Sequence, residues 1–462
     1  MTLKIHDTLS RTKTDFVPID ETHIRMYVCG PTVYDLAHIG NARPVVVFDV
    51  LSRLLRSLYP KVTYVRNITD VDDKITARAQ ESGENISDIT KRTTDVFHQD
   101  MAALGALAPD VEPRATDHIS EMIEMITELI SKDNAYAEDG HVLFSVPSMP
   151  GYGQLSKLDK REIVAGARVD IAPYKRDPQD FVLWKPSSPE LPGWDSPWGR
   201  GRPGWHIECS AMSHAHLGES FDIHGGGLDL IFPHHENEIA QSKCAHGANT
   251  FAKYWMHNGY LMSEGEKMSK SLGNFYTVHD LLAEFPGEAI RLALLKSHYR
   301  QPLDFTKDGL REAKADLDRF YGGLRRHTNA CARGGTVPEA FMAPLCDDLN
   351  TPGAISVLHQ YLGALNKAPT HEVDIKKHQL LAAANLLVLL GQDPEDWFKW
   401  QPPEQADSGF SDADIDSFIQ KRAEARSNKD FALSDQIRDE LLEQGIVLED
   451  GAQGTTWRRG SS

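Results

Sequence analysis

The sequence predicts an α/β protein whose parallel-sheet domain is interrupted by an insertion and followed by a helical region and a small mixed C-terminal unit. Three observations predict this fold class: a strand–loop–helix–strand pattern over residues 24–69, a segment dense in proline and glycine over 135–200, and helical periodicity over 280–400. With 462 residues, the chain is also too long for one ordinary hydrophobic core, so we expect several domains.

The first half of the sheet is predicted from the N-terminal pattern. Residues 24–30 are rich in β-branched and aromatic side chains and end in glycine, which is typical of a strand. Apolar residues at helical spacing follow over 38–58, where Pro44 is tolerable only in the first turns. Residues 61–69 resemble the next strand, so the unit is βαβ and the sheet parallel, and 86–133 continues as helix.

The insertion and the second half of the sheet are predicted from a change in composition. Within 135–200, short strand-like runs occur at His141–Val146 and Phe181–Lys185. The parallel sheet is then predicted to resume with a strand at Gly204–Cys209, to continue through Phe221–His224 and to end near residues 254–262. Beyond the helical region, a linker at 401–409 precedes two helices and two short strand candidates.

Composition restricts the class of protein and its compartment. The sequence has no uncharged apolar run near the roughly 20 residues that span a bilayer, and residues 1–7 lack a secretory signal. Five scattered cysteines argue against a disulfide framework and for a reducing compartment, so we expect a cytoplasmic protein without a membrane segment. A net charge of −18 speaks against general polynucleotide coating, but it leaves room for a local RNA-binding surface.

Two candidate phosphate-binding motifs lie about 230 residues apart. Ala37-His38-Ile39-Gly40-Asn41-Ala42-Arg43 begins a predicted helix, where free N–H groups and the helix dipole favour phosphates. Lys267-Met-Ser-Lys-Ser271 lies in a loop, and its two lysines, Lys267 and Lys270, can neutralise a polyphosphate as charge develops. Taken singly, a capping histidine and a solvated loop explain the two motifs better.

A metal site is the third candidate. Cys29 and Cys209 each end a predicted strand, while His234 and Glu238 lie one helical turn apart and face the same way. Open α/β sheets bind ligands at the carboxyl edge, and two thiolates, one imidazole and one carboxylate are an acceptable zinc set. On spacing alone, buried filler cysteines, a capping His234 beside a functional His235, and a solvated Glu238 all remain open.

Together, these motifs resemble a known family. The two phosphate motifs resemble the ATP-binding signatures of class I aminoacyl-tRNA synthetases, whose nucleotide domain is a Rossmann-like sheet split by an insertion. Three segments resemble the zinc-binding segments of cysteinyl-tRNA synthetases: Val28-Cys-Gly-Pro-Thr-Val-Tyr-Asp35, Gly204-Trp-His-Ile-Glu-Cys-Ser210 and Phe232-Pro-His-His-Glu-Asn-Glu238. The resemblance covers nearly the whole chain and implies a ligase that activates L-cysteine with ATP and transfers it from cysteinyl-adenylate to the 3′ end of tRNA(Cys).

The resemblance also implies a role for each candidate residue. One zinc ion per chain would be bound by Cys29, Cys209, His234 and Glu238. ATP would be bound by His38, Gly40, Asn41, Gly226, Asp229, Lys267 and Lys270, and His38, Asn41, Lys267 and Lys270 would be catalytic together with Mg²⁺. The cysteine pocket would include Gly30, Thr69, Trp205 and His224.

A domain order follows from the same resemblance. It implies a Rossmann-like catalytic domain in two halves (1–130 and 201–262, the second with the zinc site), a connective insertion (131–200), a lysine-loop and stem-contact region (263–315), a helical bundle (316–400) and a C-terminal anticodon-binding domain (410–462). Its partners would be tRNA(Cys), L-cysteine and ATP, and the enzyme would be a monomer.

Zinc would have a clear physical purpose in such an enzyme. A hydrophobic pocket separates cysteine from serine or alanine by only about 1–3 kcal/mol, which is why other synthetases edit. A soft thiolate binds zinc far better than a hydroxyl does. We therefore predict selection of cysteine by zinc without an editing domain.

One residue departs from the family pattern, and the C-terminal unit adds support for RNA binding. Asn41 stands where many family members carry a second histidine; it keeps a hydrogen-bond donor but cannot become cationic. In the C-terminal unit, Trp457 beside Arg458 and Arg459 predicts base stacking with phosphate contact, together with Lys421, Arg422, Arg426, Lys429 and Arg438. A solvated helical appendage is equally open on these residues alone, and the resemblance favours anticodon recognition.

Three other functions need to be weighed. The cysteine ligase of mycothiol biosynthesis shares the activation chemistry but uses an amino-sugar acceptor, and residues 410–462 argue against it because that family lacks an anticodon unit. A zinc hydrolase is disfavoured because the His-Glu-x-x-His spacing is absent and a two-thiolate site is closed to water. An RNA-binding module without activity leaves the lysine loop and the glycine run at 225–227 unexplained.

Overall fold

The computed structural model describes residues 2–158, 172–247, 251–266, 268, 274–328, 336–403, 410–451 and 454–459. The chain divides into two compact units: the first comprises Met1–Val278, Leu294–Phe305 and Glu339–Ile355, and the second His279–Ala293, Thr306–Pro338 and Ser356–Ser462. Among the described residues, no helix is long and apolar enough to cross a membrane. Lys267 and Lys270 lie outside the described residues.

A four-stranded parallel sheet forms the centre of the first unit, as predicted. Its strands are β3 (Ile24–Val28), β4 (Val62–Arg66), β9 (Phe221–Gly227) and β10 (Ala252–Asn258), in the order β10-β9-β3-β4. Helix α1 (Ile39–Leu58) connects β3 to β4 on one side, whereas β9 pairs with β3 on the other. The strand order therefore reverses beside β3, which is where open α/β sheets bind ligands.

The predicted insertion forms an antiparallel sheet of its own, in the order β5-β6-β7-β8. Its strands are β5 (Ala135–Glu138), β6 (His141–Phe144), β7 (Phe181–Pro186) and β8 (Gly201–Pro203). Both strand-like runs predicted from the sequence are confirmed, because they correspond to β6 and β7. The parallel sheet is thus split in the chain by an antiparallel one.

The remaining elements of the first unit are helices and short strand pairs. The helices are α2 (Asp73–Ser82), α3 (Ile86–Ala103), α4 (Ile119–Ser131), α5 (Trp205–Leu217), α6 (Glu236–His246) and α10 (Glu339–Cys346). The strand pairs are β1 (Lys4–Asp7) with β2 (Thr12–Asp15), and β11 (Leu261–Ser263) with β12 (Leu303–Phe305). The predicted helix over 86–133 is broken between α3 and α4, and β12 interrupts a region predicted to be helical throughout.

The predicted strand at Gly204–Cys209 is wrong, because these residues begin a helix. Gly204 is the N-cap of α5, and its extended backbone leads into thirteen helical residues. A six-residue run with apolar residues fits a strand as well as the start of a buried helix, and periodicity alone cannot separate the two. The helix is almost fully buried from Ile207 to Ser213, so it has no polar face that would reveal its period.

The second unit is mainly helical, as predicted, and ends in a small mixed subdomain. Its helices include α7 (Val278–Glu284), α8 (Gly287–Leu295), α9 (Lys307–Arg325), α11 (Thr351–Lys367), α12 (Val373–Leu386) and α13 (Pro394–Lys399). Some residues of α7, α8 and α11 are assigned to the first unit. The C-terminal subdomain comprises α14 (Asp412–Ser427), α15 (Phe431–Glu443) and the hairpin β13 (Ile446–Gly451) and β14 (Gly454–Arg459). Its two helices and two strands confirm the pattern predicted from the sequence.

Trp457 does not present the stacking surface predicted for it. Its ring is buried in the small core that Ile415, Ile437, Leu441 and Ile446 form with it, and its Nε1 donates to Asp416 at 3.2 Å. An indole on a short hairpin buries more apolar surface inside the subdomain than any other residue there can, so the ring packs into the core and does not stay exposed. The neighbouring cations are also paired with carboxylates: Arg458 with Glu449, Arg459 with Asp412, and Arg422 and Arg426 with Asp450.

Candidate functional site

Four side chains with metal-binding chemistry meet at the carboxyl edge of the parallel sheet. Cys29 directly follows β3, and Cys209 lies on the second turn of α5. His234 lies in the irregular turn that precedes α6, and Glu238 lies on the first turn of α6. Their ligand atoms lie within 4.8 Å of one another, so the four residues predicted from the sequence are brought together although Cys209 comes from a helix.

The spacing of these donors suits a single tetrahedral ion. The two cysteine Sγ atoms are 3.5 Å apart, Cys29 Sγ and Glu238 Oε1 are 3.5 Å apart, and His234 Nε2 and Glu238 Oε1 are 3.1 Å apart. Ordinary zinc bond lengths in a tetrahedron separate two sulfurs by about 3.8 Å, sulfur and oxygen by about 3.6 Å, and nitrogen and oxygen by about 3.4 Å. Each distance therefore agrees to within about 0.3 Å.

A second set of donors overlaps the first. Cys29, His224, His235 and Glu238 also lie within 4.8 Å of one another. The two sets share Cys29 and Glu238, so they describe one centre and not two independent sites. Zinc favours the set with two sulfurs, because thiolates bind it more strongly than further imidazoles do. That choice leaves His224 and His235 as neighbours of the ligands.

Two neighbouring histidines, His224 and His206, fix the orientation of the predicted ligands Glu238 and His234. His224 Nε2 lies 2.9 Å from Glu238 Oε2, which leaves Oε1 for the centre, and His206 Nδ1 lies 2.9 Å from His234 Nδ1. Burial lowers the pKa of His206 to about 4 and holds the pKa of His234 well below its usual range. Both rings are therefore neutral, and a hydrogen bond to Nδ1 aims the other nitrogen of His234 at a metal.

A second chain of hydrogen bonds leads to Cys29. His235 Nε2 lies 3.3 Å from Cys29 Sγ, His235 Nδ1 lies 2.8 Å from His257 Nε2, and His257 Nδ1 lies 2.8 Å from Thr8 Oγ1. If the Thr8 hydroxyl donates to His257 Nδ1, then His257 Nε2–H donates to His235 Nδ1. His235 Nε2–H can in turn donate to a Cys29 thiolate. Burial raises the pKa of the Cys29 thiol, and a cation in the centre opposes that effect because it stabilises the thiolate.

A polar network connects the cysteine pocket predicted at Gly30 and Thr69 with α5. The Gly30 N–H donates to Asn67 Oδ1 at 2.9 Å, and Asn67 Nδ2 donates to Thr69 Oγ1 at 3.3 Å. Thr69 in turn donates to Glu208 Oε2 at 2.9 Å, and burial holds the pKa of Glu208 well above its usual range. Asn67 and Glu208 were not predicted as site residues from the sequence, although Glu208 precedes Cys209 and Asn67 lies two residues before Thr69.

Trp205 and His224 occupy different positions relative to the predicted metal ligands. Trp205 is 39% exposed and stacks on the His234 ring with centroids 4.1 Å apart, so it covers this predicted ligand from the solvent side. His224 is fully buried, stacks on Trp255 at 4.5 Å and contacts Glu238. Trp205 is therefore accessible to solvent beside His234, whereas His224 supports the Glu238 carboxylate from behind.

His38 and Asn41 form a capping box at the start of α1. The Gly40 N–H donates to His38 Nδ1 at 3.1 Å, and the His38 N–H donates to Asn41 Oδ1 at 3.1 Å. Both acceptor atoms are thus used within the turn, and each side chain keeps an N–H donor, Nε2–H on His38 and Nδ2–H₂ on Asn41. Burial lowers the pKa of His38, although the Asp229 charge opposes this, so the ring stays neutral.

The glycine run at the end of β9 has a packing role that was not predicted from the sequence. A Cβ atom at Gly226 would lie 2.9 Å from both His235 Cε1 and Leu230 Cδ1, so the missing side chain makes room for a histidine beside the centre. Asp229 follows in a short 3-10 turn and is exposed. The contacts of Gly226 and Asp229 with ATP stay predictions.

Comparisons with known families and proteins match nearly the whole chain. Three family models match it: the tRNA synthetases class I (C) catalytic domain over residues 15–315, the DALR domain over 340–392, and the cysteinyl-tRNA ligase anticodon binding domain over 411–458. The chain is 64% identical over 460 residues to the cysteine–tRNA ligase of Rhodospirillum rubrum, covering 99% of this chain and 100% of that one. It is also 64% identical over 463 residues to the cysteine–tRNA ligase of Paramagnetospirillum magneticum, covering 100% of both.

Solved structures of other synthetases share the fold. Methionyl-tRNA synthetase of Mycobacterium tuberculosis, in complex with methionyl-adenylate, superposes with a TM-score of 0.57 at 14% identity, covering 83% of this chain and 95% of that one. A putative arginyl-tRNA synthetase from Campylobacter jejuni gives a TM-score of 0.53 at 13% identity, covering 82% of this chain and 95% of that one. At such identities, the likeness concerns the fold alone.

Proposed function

The chain belongs to the cysteinyl-tRNA synthetase family and is a cysteine–tRNA ligase of class I, and we propose that it selects its amino acid through one zinc ion bound by Cys29, Cys209, His234 and Glu238. The reaction joins the cysteine carboxylate to the α-phosphate of ATP and releases pyrophosphate. The terminal ribose hydroxyl of tRNA(Cys) then attacks the carbonyl carbon and releases AMP.

The observation that carries the proposal is the buried four-donor centre at the strand-order reversal. None of its four residues is more than 9% exposed, and they come from three separate parts of the chain, His234 and Glu238 from the same one. Zinc held there supplies a soft Lewis acid for the substrate thiolate, which a serine hydroxyl cannot match. Trp205 stacks on His234 at the solvent side of this centre and is itself partly exposed, so we place the entering side chain of cysteine beside it.

The residues of the chain then divide the remaining work. Gly30, Thr69 and Trp205 surround the proposed cysteine position, and the Asn67–Glu208 network holds the first two of these in place. His38 Nε2–H and Asn41 Nδ2–H₂ donate to the triphosphate of ATP at the N-terminus of α1. Gly40, Gly226 and Asp229 complete the proposed ATP site with Lys267 and Lys270 and with Mg²⁺, which we expect on the triphosphate. Catalysis rests on positioning and charge stabilisation, without a covalent nucleophile.

Removal of the metal tests the proposal directly. We expect purified protein to contain about one zinc ion per chain and to catalyse cysteine-dependent ATP–pyrophosphate exchange and aminoacylation of tRNA(Cys). Serine should support exchange at least about 10³-fold less efficiently than cysteine. The proposed zinc–thiolate bond adds to the small discrimination that a hydrophobic pocket alone provides. Chelation should abolish activity with cysteine, and added zinc should restore it. Zinc-loaded enzyme that activates serine as well as cysteine would refute the proposed selection.

Lys270 gives a separate test of the ATP site. Replacing Lys270 by alanine should lower the rate of cysteine-dependent pyrophosphate exchange about 10²-fold, because a cation that stabilises developing phosphate charge is lost. Zinc content should not change, since Lys270 is not a proposed metal ligand. Steady-state exchange kinetics with metal analysis on the same sample measure both quantities. An unchanged exchange rate would exclude this role for Lys270.

Acceptor, compartment and assembly complete the proposal. The mycothiol-type alternative is not supported, because the chain is matched over residues 411–458 by an anticodon-binding model. We place the enzyme in the cytoplasm, where the free thiols of Cys29, Cys209, Cys244 and Cys346 stay reduced. A monomer is proposed from the family resemblance, and light scattering after size exclusion tests it.

A further inference from the structure

Arg43 is a buried cation that has no role in the proposed zinc site or in the proposed ATP contacts. It lies in α1, two residues after Asn41, and its side chain is fully buried. Every acceptor that the described residues offer to its guanidinium is a backbone carbonyl. Nη1 donates to Gly259 and Tyr260, both at 2.7 Å, and Nη2 donates to Gln301 at 2.6 Å and His298 at 3.4 Å. Such a cluster is a clamp on backbone rather than an ion pair.

The clamp holds two chain segments that cross at this point. A Cβ atom at Gly259 would lie 2.6 Å from Gln301 O and 2.7 Å from Arg300 O, so the two backbones are in direct contact. The Gly259 N–H donates to Tyr299 O at 2.8 Å, and the Leu303 N–H donates to Tyr260 O at 3.0 Å. From this crossing, the chain enters β11, which leads towards Lys267. Arg43 therefore fixes the point from which β11 starts.

The other side of the lysine-bearing segment is attached to the same helix start. The Ile39 N–H donates to Tyr276 O at 3.0 Å, and the Val278 N–H donates to Ala37 O at 2.9 Å. Between these bonds, His38 and Thr277 form an antiparallel bridge, and Asn274 Nδ2 donates to Ser263 O at 2.9 Å. The segments before and after residues 267–273 are thus both tied to the first turns of α1, one through Arg43 and the other through backbone.

We propose that Arg43 is a positioning residue that couples the two ATP motifs by fixing the β11 entry to the lysine-bearing segment relative to His38 and Asn41. This inference rests on the proposed function, because it presumes that Lys270 acts on ATP. A fork of five N–H donors can serve several carbonyls at once, whereas a lysine ammonium keeps the charge but not that geometry. A displacement of about 1 Å at a distance from the chemistry is enough to cost about 10²-fold in rate.

The test is Arg43→Lys, measured in cysteine-dependent pyrophosphate exchange. We expect kcat to fall about 30-fold to 100-fold, with zinc content and the KM for cysteine changed less than about twofold, because the metal centre is built by other elements. The decisive readout is a double-mutant cycle with Lys270→Ala. If Arg43 acts by positioning that lysine, the two effects combine to much less than their product. Effects that multiply, or an unchanged kcat, would overturn the inference.

Arg291 provides a matched control for the cost of altering a buried arginine. Its side chain is also fully buried and its Nε donates to Leu387 O at 2.7 Å, but both residues belong to the second unit. Arg291→Lys should lower the thermal midpoint as Arg43→Lys does and leave exchange kinetics as in the parent. Because the parent enzyme is assayed alongside, failure of the proposed function appears as inactive parent protein, whereas failure of this inference appears as an active Arg43→Lys variant.

Discussion

Replacing Cys209 by serine should reduce kcat/KM for cysteine by at least about 10³-fold and release zinc from the purified protein. A serine hydroxyl stays protonated near neutral pH and is a hard donor, so it cannot replace a thiolate at 3.5 Å from Cys29 Sγ. Changing even a supporting neighbour of a metal ligand typically costs 10-fold to 100-fold in affinity, so loss of a ligand should cost more.

The measurement is zinc content by elemental analysis together with pyrophosphate exchange at saturating ATP. The control is Cys346→Ser, which replaces another buried thiol of the first unit that belongs to neither donor set. It should lose some stability, because burying a hydroxyl without a partner is costly, but should keep its zinc and its KM for cysteine. A Cys209→Ser protein with full zinc content and normal cysteine activation would contradict the assigned ligand set.

Replacing Asn41 by aspartate should lower the exchange rate about 10³-fold without unfolding α1. Aspartate keeps the oxygen that accepts from the His38 N–H at 3.1 Å, and a negative charge in the first turn favours the helix dipole. The same change removes the Nδ2–H₂ donor and places a negative charge against the triphosphate. Loss of one such donor costs about 10²–10³-fold, and repulsion adds to that.

Exchange kinetics as a function of ATP concentration, with the thermal midpoint, separate these two effects. Asn41→Asp should keep or raise the midpoint while activity falls, which distinguishes a lost phosphate contact from a damaged helix. Asn41→His, the residue found in many family members, serves as the matched variant and should retain activity within about tenfold. If aspartate is tolerated, the amide does not face the phosphates and the capping box is its only role.

Much of the architecture was predictable from local patterns. The βαβ unit at β3, α1 and β4 shows alternating and helical periodicities over enough residues to identify each element, and the insertion is marked by its own strands. The exception is α5, which was predicted as a strand because its buried residues leave no polar face. Trp457 was assigned to RNA for a related reason, since a sequence does not reveal which aromatic ring a small core will bury.

The sequence by itself determined the fold class and the chemical types at the site, because the His38–Asn41 motif and the short segments around Cys29 and Cys209 are each local patterns of backbone and donor groups. Only the tertiary structure decided the arrangement: that Cys209 reaches Cys29 from a helix, that His206 and His235 contact the proposed ligands His234 and Cys29, and that Arg43 clamps two crossing segments. These contacts join residues 28 to 258 positions apart, and such distances in the chain are set by packing of whole elements, which no local pattern records.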